Sequence, residues 1–514
     1  MVYPGYLYPA VNIVKQQALS AASERVPTAS PPLPRPTIWD TALSAWRSSR
    51  FFAFVLLALA VVLGGFFRFH RLARWDMNGD EAIAWAAVIE PDLHKVVQAF
   101  WHFENGGKLP LFDILMHGWV RVFGDSLFAL RAMPAALGTI AIVLLFIAVR
   151  EVCRSLGGET AVEAGEVAGA FAALIYALNL TMVASDRTAR EFPLLTATEL
   201  AQIIFFVRAQ RRPTLVADLG IAIFTTIMVS TNYSASFLLA AEALWLGSLL
   251  LARWAGSARA AEVAIFRPGL AVMAGIALLA PLLPGIFSSS RRAVQYNAIS
   301  WIRVQPVSWP FTVLRDVAGK PDLFWIFAAL IVFGVWWQWR SARMAAGFLA
   351  AWMLGPILAV FLVTYLIAPM EFPRYVLIAF VGMFAFAGFG AGCVRSTAVR
   401  FVLVVLIVRL STPMIHNWVK VLREGAWREA TALADQSAAG GQIAVCPPVN
   451  LNVVRFYLGP ERRGDAIAMN RKCVAAPVVI LSGRGVVSDE EIAIAEACYP
   501  RVLGRFNLVE VRAR

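Results

Sequence analysis

The chain has 514 residues, 59% apolar and 15% charged, against roughly 45 to 50% and 25% in a soluble domain, which excludes an ordinary soluble protein. Its net charge of +13 comes from 46 Lys and Arg spread over many short loops. That distribution argues against a nucleic-acid footprint and for membrane topology, in which basic loops stay cytoplasmic.

Residues 1–46 hold Pro27, Pro31, Pro32, Pro34 and Pro36 with little aliphatic periodicity, and are expected to form a disordered cytoplasmic tail. Apolar runs follow near 51–67, 128–149, 166–184, 192–208, 215–231, 234–252, 269–288, 322–339, 344–367, 375–393 and 399–413. Each reads as a span of a hydrocarbon core of about 30 Å. The first is not read as a cleavable signal peptide, because it begins behind a long polar segment and no small-residue cleavage pattern follows. Segment 109–123 is short and contains Asp113, so it is expected only to dip into the bilayer. The basic loops then fall on one side, from Arg47 and Arg50 through Arg208 to Arg212 and on to Arg395 and Arg400. The expectation is an all-α polytopic protein of the cell inner membrane, with about 11 to 13 transmembrane helices in 47–418, a first external loop at 68–127 and the N-terminus inside. Residues 419–514 alternate helical stretches such as SDEEIAIAEAC with strand-like runs such as PVVILSG, and are expected to form a small extracytoplasmic α/β domain. Cys446, Cys473 and Cys498 share that segment, which leaves room for one disulfide.

Candidate chemistry gathers at the external ends of spans. In RWDMNGDEAIAW, Asp80 and Glu81 follow the turn signal Asn78-Gly79 and open a helix. Such carboxylates either cap the helix N-terminus or serve as the base that takes a proton from an attacking hydroxyl. Lys108, read as an exposed loop lysine between a Gly pair and Pro110, either snorkels to headgroups or neutralises an anionic phosphate. In ASDRTAREFPLL, Arg187 and Arg190 are three apart, on one side of any helical segment, and lie on the wrong face for topological arginines; their alternative is a pair with Asp186 or Glu191. In APMEFPRYVLIAF, Arg374 stands between Glu371 and Tyr375 at the end of another span. His70, His94, His102 and His117 lack metal-site spacing, so no metal and no cofactor is expected, and His117 reads as a packed or hydrogen-bonded residue.

The succession GDEA, GGKLPLFDILMHGWVRVFGDSLFALRAMPAALG, SDRTAREFPLL and PRYVLIAF resembles the GT-C glycosyltransferases of the protein O-mannosyltransferase and aminoarabinose-transferase type, family 39, over roughly residues 50–460. The resemblance implies a GT-C fold, a polyprenyl-phosphate-linked sugar as donor, a lipid, glycan or protein hydroxyl as acceptor, and inversion at the anomeric carbon. It further implies Asp80 as catalytic base with Glu81 beside it, and Lys108, Arg187, Arg190, Arg374 and Tyr375 around the donor phosphate. Thr188 departs from the pattern, standing where many members have a glutamate. The alternative of another class is a transporter or flippase of lipid-linked sugar, which would place charges deep within helices and repeat its topology. No such charges are read here.

Overall fold

The computed structural model describes residues 49–103, 108–157, 159–258, 263–295, 302–338, 341–421, 426–482, 488–507 and 509–514; the expected tail at 1–46 lies outside them. Among the described residues, nine helices are long and apolar enough to cross a membrane. A bent pair and a shorter apolar helix accompany them, so every expected span meets a helical element.

Helix α1 (Ser49–Phe69) leads into the first loop, which carries α2 (Gly79–Val88), α3 (Leu93–Trp101) and α4 (Leu111–Phe123). At 13 residues α4 is about 20 Å long, short of the hydrocarbon core. Helix α5 (Leu127–Leu156) starts at the Ser126 cap and returns across. Helices α6 (Glu159–Ala177) and α7 (Leu180–Asp186) meet at a 66° bend. Asn179 makes that break: its side chain accepts from the Met182 amide and donates to the Val317 carbonyl, so the chain can leave one helix axis without orphaning polar groups. The bend delivers Asp186 to Arg68, with Nη2 to Oδ2 at 2.7 Å, both side chains buried. Helices α8 (Phe192–Arg211), α9 (Leu215–Thr231), α10 (Ala235–Trp254), α11 (Phe266–Ala277), α12 (Leu283–Gln295), α13 (Trp309–Ala318), α14 (Pro321–Gln338) and α15 (Arg343–Leu366) continue the bundle.

A 3₁₀ turn, Pro373–Val376, opens α16 (Leu377–Gly392), the most enclosed of the described membrane helices. Its sequence, LIAFVGMFAFAGFGAG, ends in small residues, and the backbones of neighbouring helices close on them. A Cβ added at Gly390 would lie 1.8 Å from the Leu330 carbonyl oxygen of α14, and one at Gly388 would lie 2.5 Å from the Ala168 carbonyl oxygen of α6. Lipid supplies no hydrophobic force between helices, so this close van der Waals approach does the holding.

After α17 (Thr397–Val421) come α18 (Trp427–Ala438), α19 (Leu451–Leu458), α20 (Asp489–Cys498) and a five-stranded sheet in the order β2-β1-β3-β5-β4. Its strands are β1 (Ile443–Cys446), β2 (Ala466–Ala468), β3 (Val478–Ser482), β4 (Arg501–Phe506) and β5 (Val509–Ala513); β1 runs parallel to β2 and β3, whereas β5 pairs antiparallel with β3 and β4. Alternation splits the faces. Ile443, Val445, Val478 and Ile480 pack in one core with Met77, Trp85, Phe112 and Val453, while Ala444, Cys446, Val479 and Leu481 pack towards α20. The sheet and the first loop therefore share a core. Cys473 and Cys498 form a disulfide, and Cys446 is free and buried.

Candidate active site

The turn Met77-Asn78 places the two carboxylates differently. Asn78 caps α2, accepting from the Glu81 amide at 2.9 Å, and Glu81 returns the bond by accepting from the Asn78 amide at 3.1 Å. Glu81 is fully buried and accepts from Arg131 Nε at 2.7 Å, Arg131 Nη2 at 2.6 Å and the Ala189 amide at 2.8 Å. Arg131 spends its remaining donors on the carbonyls of Leu72, Trp75 and Asp76. Glu81 is thus the anchor of the loop, and its oxygens are taken.

Asp80, one residue earlier, points about 100° away around the helix. Its side chain is half exposed, and Oδ2 faces Arg190 Nη1 at 2.5 Å and Arg374 Nη1 at 3.0 Å. Burial opposes its ionisation, but the guanidiniums of Arg190 and Arg374, with Lys108 behind them, hold the carboxyl below the usual range.

Beneath this pair lies Glu191, buried, gripped by Arg190 Nε at 3.0 Å and by the Asn232 amide at 3.0 Å. Burial raises its pKa, yet Arg190 and Lys108 prevail and bring it to about 2. Lys108 lies 3.9 Å from Glu191 Oε2 and is buried, which corrects the expectation of an exposed loop lysine. Its pKa is lowered, by burial first and by Arg190 second, against the opposing pull of Glu191, Asp113 and Asp80. Tyr375, half-buried, adjoins Arg374 and faces the same charges. The structure therefore brings together Asp80, Lys108, Arg190, Arg374 and Tyr375, drawn from the first loop, the turn before α8 and the turn before α16.

Arg187 is not among them. Residues 187–191 form an irregular turn rather than a helix, so the three-residue spacing does not align the two arginines. Arg187 is buried and donates to the carbonyls of Phe67, His70 and Arg71 at the end of α1, with its guanidinium over the Trp75 ring at 5.0 Å. The pairing alternative holds for Arg190 with Glu191, whereas Asp186 is taken by Arg68. Glu191, Asn232 and Arg131 are site residues that sequence reasoning did not assign. A carboxylate next to an arginine and an asparagine at a helix end are too common to single out. His117 donates one hydrogen bond from Nδ1 to the Val88 carbonyl, 2.8 Å away. Among the described residues, no group of three or more His, Cys, Asp or Glu could hold a metal.

The α/β unit supports this turn from outside. The Met77 amide donates to the Tyr457 hydroxyl at 2.8 Å, Trp85 meets Phe456 edge to face, and Arg463 reaches Asp125 at 2.8 Å.

The fold has solved counterparts. ArnT from Cupriavidus metallidurans bound to undecaprenyl phosphate superposes with a TM-score of 0.59 at 13% identity, over 90% of this chain and 98% of that one. ArnT in the apo state gives 0.59 at 15% identity, over 92% and 98%. The fold is GT-C. The apo oligosaccharyltransferase of Archaeoglobus fulgidus shares this GT-C arrangement more distantly, with a TM-score of 0.54 at 10% identity over 85% of this chain and 70% of that one. No protein-family model and no curated protein sequence matches the chain. At these identities the likeness establishes the GT-C fold and no particular family, and the resemblance to family 39 rests on the motifs alone.

Proposed function

We propose that the protein is an inverting glycosyltransferase that moves a sugar from a polyprenyl-phosphate-linked donor to a hydroxyl acceptor on the extracytoplasmic face. The observation that carries this reading is one half-exposed carboxylate, Asp80, bracketed by Arg190 and Arg374 with Lys108 behind. ArnT, similar in fold, was solved with undecaprenyl phosphate, which matches the anion such a basic cluster would take.

In the proposed step the acceptor oxygen forms a bond to the sugar C1 as the bond from C1 to the phosphate oxygen breaks. The acceptor proton goes to Asp80, and the electron pair leaves on the polyprenyl phosphate. Arg374 and Arg190 serve two anions in turn. Before donor binding they neutralise Asp80; when the donor phosphate shares their charge, the carboxylate loses part of that stabilisation and becomes the stronger base. Glu191 and Asn232 keep Arg190 in place, and Glu81 with Arg131 keeps α2 in place. Both pairs position and neither touches the reacting atoms. Arg187 belongs with them, as a clamp on the end of α1.

Transport has one observation in its favour, since ionisable residues do lie within the helices, which corrects the expectation of none. Glu199 of α8 and Glu242 of α10 are buried in the bundle, as is the neutral Gln202 of α8. They have no counterpart in the transfer mechanism. Glu199→Gln and Glu242→Gln proteins that still transfer sugar from donor presented on the same side would set that reading aside.

The class of donor is tested by mass spectrometry of lipid retained through mild purification. Polyprenyl phosphate or its glycoside is expected in the wild type and depleted in Arg374→Gln. Bulk phospholipid alone in both proteins would sink the donor assignment.

A further inference from the structure

At the opposite end of α8 from the Asp80 cluster lies a second basic cavity. Helix α8 begins at Phe192, next to Arg190 and Glu191, and ends at Arg211, so its length of 20 residues separates the two sites by about 30 Å. The cavity measures about 620 Å³ and is lined by Arg154, Arg208, Arg211 and Arg212, with Glu151 as the one carboxylate in its wall. Four guanidiniums against one carboxylate leave a net charge of +3 in one concave site.

Topology alone asks for arginines on this face but not for a shaped pocket. Glu151 is buried and holds two of the heads in place, Arg208 Nε at 3.1 Å and Arg154 Nη1 at 3.5 Å. Arg211 is fixed by a hydrogen bond to the Arg154 carbonyl, and Arg212, the C-cap of α8, has its side chain exposed. Helix α9 starts at the cavity wall: Thr214 caps it by accepting from the Ala217 amide, and the first-turn amides of Leu215 and Val216 have no partner within the helix. The positive end of that 17-residue helix adds to the arginine field. Phe205, Val162 and Val216 complete the wall, and Val216 and its neighbour Leu215 are exposed apolar side chains at the start of α9.

We propose that this cavity binds a phosphate monoanion or diester at the membrane interface, and that its occupant is an anionic phospholipid whose headgroup sits on the arginines while its chains lie over Val216 and Phe205. The site is separate from the donor site and does not depend on the transferase reading.

The test uses purified full-length protein in nonionic detergent, titrated with dioctanoyl phosphatidylglycerol, with phosphatidylcholine of the same chains and with inorganic phosphate, bound species being counted by native mass spectrometry. The double variant Arg154→Gln/Arg212→Gln leaves Arg208 on the buried Glu151. It is expected to weaken phosphatidylglycerol roughly 30-fold, equivalent to about 1 kcal/mol for each charge removed. Arg154→Lys/Arg212→Lys retains most of the affinity, and Arg374→Gln, altered on the other face, changes it by less than about 2-fold. Arginine-dependent binding of inorganic phosphate without phosphatidylglycerol would support the phosphate site and assign it to a soluble ligand. Equal binding of phosphatidylcholine, or undiminished phosphatidylglycerol binding in the double variant, would overturn the proposal.

Discussion

At the residue scale, the two adjacent carboxylates divide the two tasks that a pair at a helix start can perform. Glu81 caps and anchors, and Asp80 faces the arginines, so their substitutions should fail differently. Asp80→Asn is expected to fold as the wild type does and to lose about 10² to 10⁴-fold in turnover, the usual cost of removing a general base. Glu81→Gln weakens the grip on Arg131 in a buried pair, where breaking the partnership costs about 3 to 5 kcal/mol, so its main effect should be a lower melting temperature. Equal melting temperatures for the two variants would contradict this division. Lys108 supplies a pH signature. Because its pKa is lowered, it loses its charge at a lower pH than an ordinary lysine, so donor affinity should fall on an alkaline limb that sets in below about 10.5. Lys108→Arg should move that limb upward, since a guanidinium does not deprotonate there. A limb indifferent to that change would remove Lys108 from the phosphate site. The acidic pair was legible because it follows the Asn78-Gly79 turn signal, and Arg374 because an arginine at an external span end runs against the positive-inside trend. Lys108 was misplaced because a Gly-rich stretch reads as exposed, and Arg187 because same-side spacing holds only on a helix, which residues 187–191 are not.

At the scale of elements, apolar runs of about 18 residues specify spans whatever their packing, which is why each expected span meets a helix. The bend between α6 and α7 was hidden because a single Asn179 interrupts an otherwise apolar run, and its effect comes from a partner 138 residues away, the Val317 carbonyl. Helix α16 shows the reverse case, in which composition and packing agree. Gly390→Val should prevent α14 and α16 from docking, since even a Cβ would stand 1.8 Å from a backbone oxygen. The expected result is loss of the monodisperse protein in size-exclusion chromatography, whereas Gly118→Ala on α4, where a Cβ meets nothing, should be silent. A well-behaved Gly390→Val protein would mean that the helices do not approach as described. In the α/β unit, the Tyr457 hydroxyl accepts from the Met77 amide at the turn that aims Asp80. Tyr457→Phe should therefore lower kcat more than it raises KM, and an unchanged kcat would show that α19 does not position the loop.

At the scale of the molecule, three separate stretches of chain meet around Asp80, and the α/β unit shares a core with the loop that carries it. The helical bundle supplies Arg190 and Arg374, and the α/β unit packs against α2 and the turn before it. A Cys473–Cys498 disulfide suits an oxidising compartment, so a reporter fused at the C-terminus should be active only when exported. In the proposed function this arrangement transfers sugar from a polyprenyl phosphate with Asp80 as base. Its most direct test is single-turnover transfer from a synthetic polyprenyl-phosphate sugar in the wild type and in Asp80→Asn, with melting temperatures measured alongside. The wild type should couple polyprenyl phosphate release to acceptor glycosylation, and an equally stable Asp80→Asn should transfer at least about 10²-fold more slowly; wild-type rates in that variant would contradict the role of Asp80 as base.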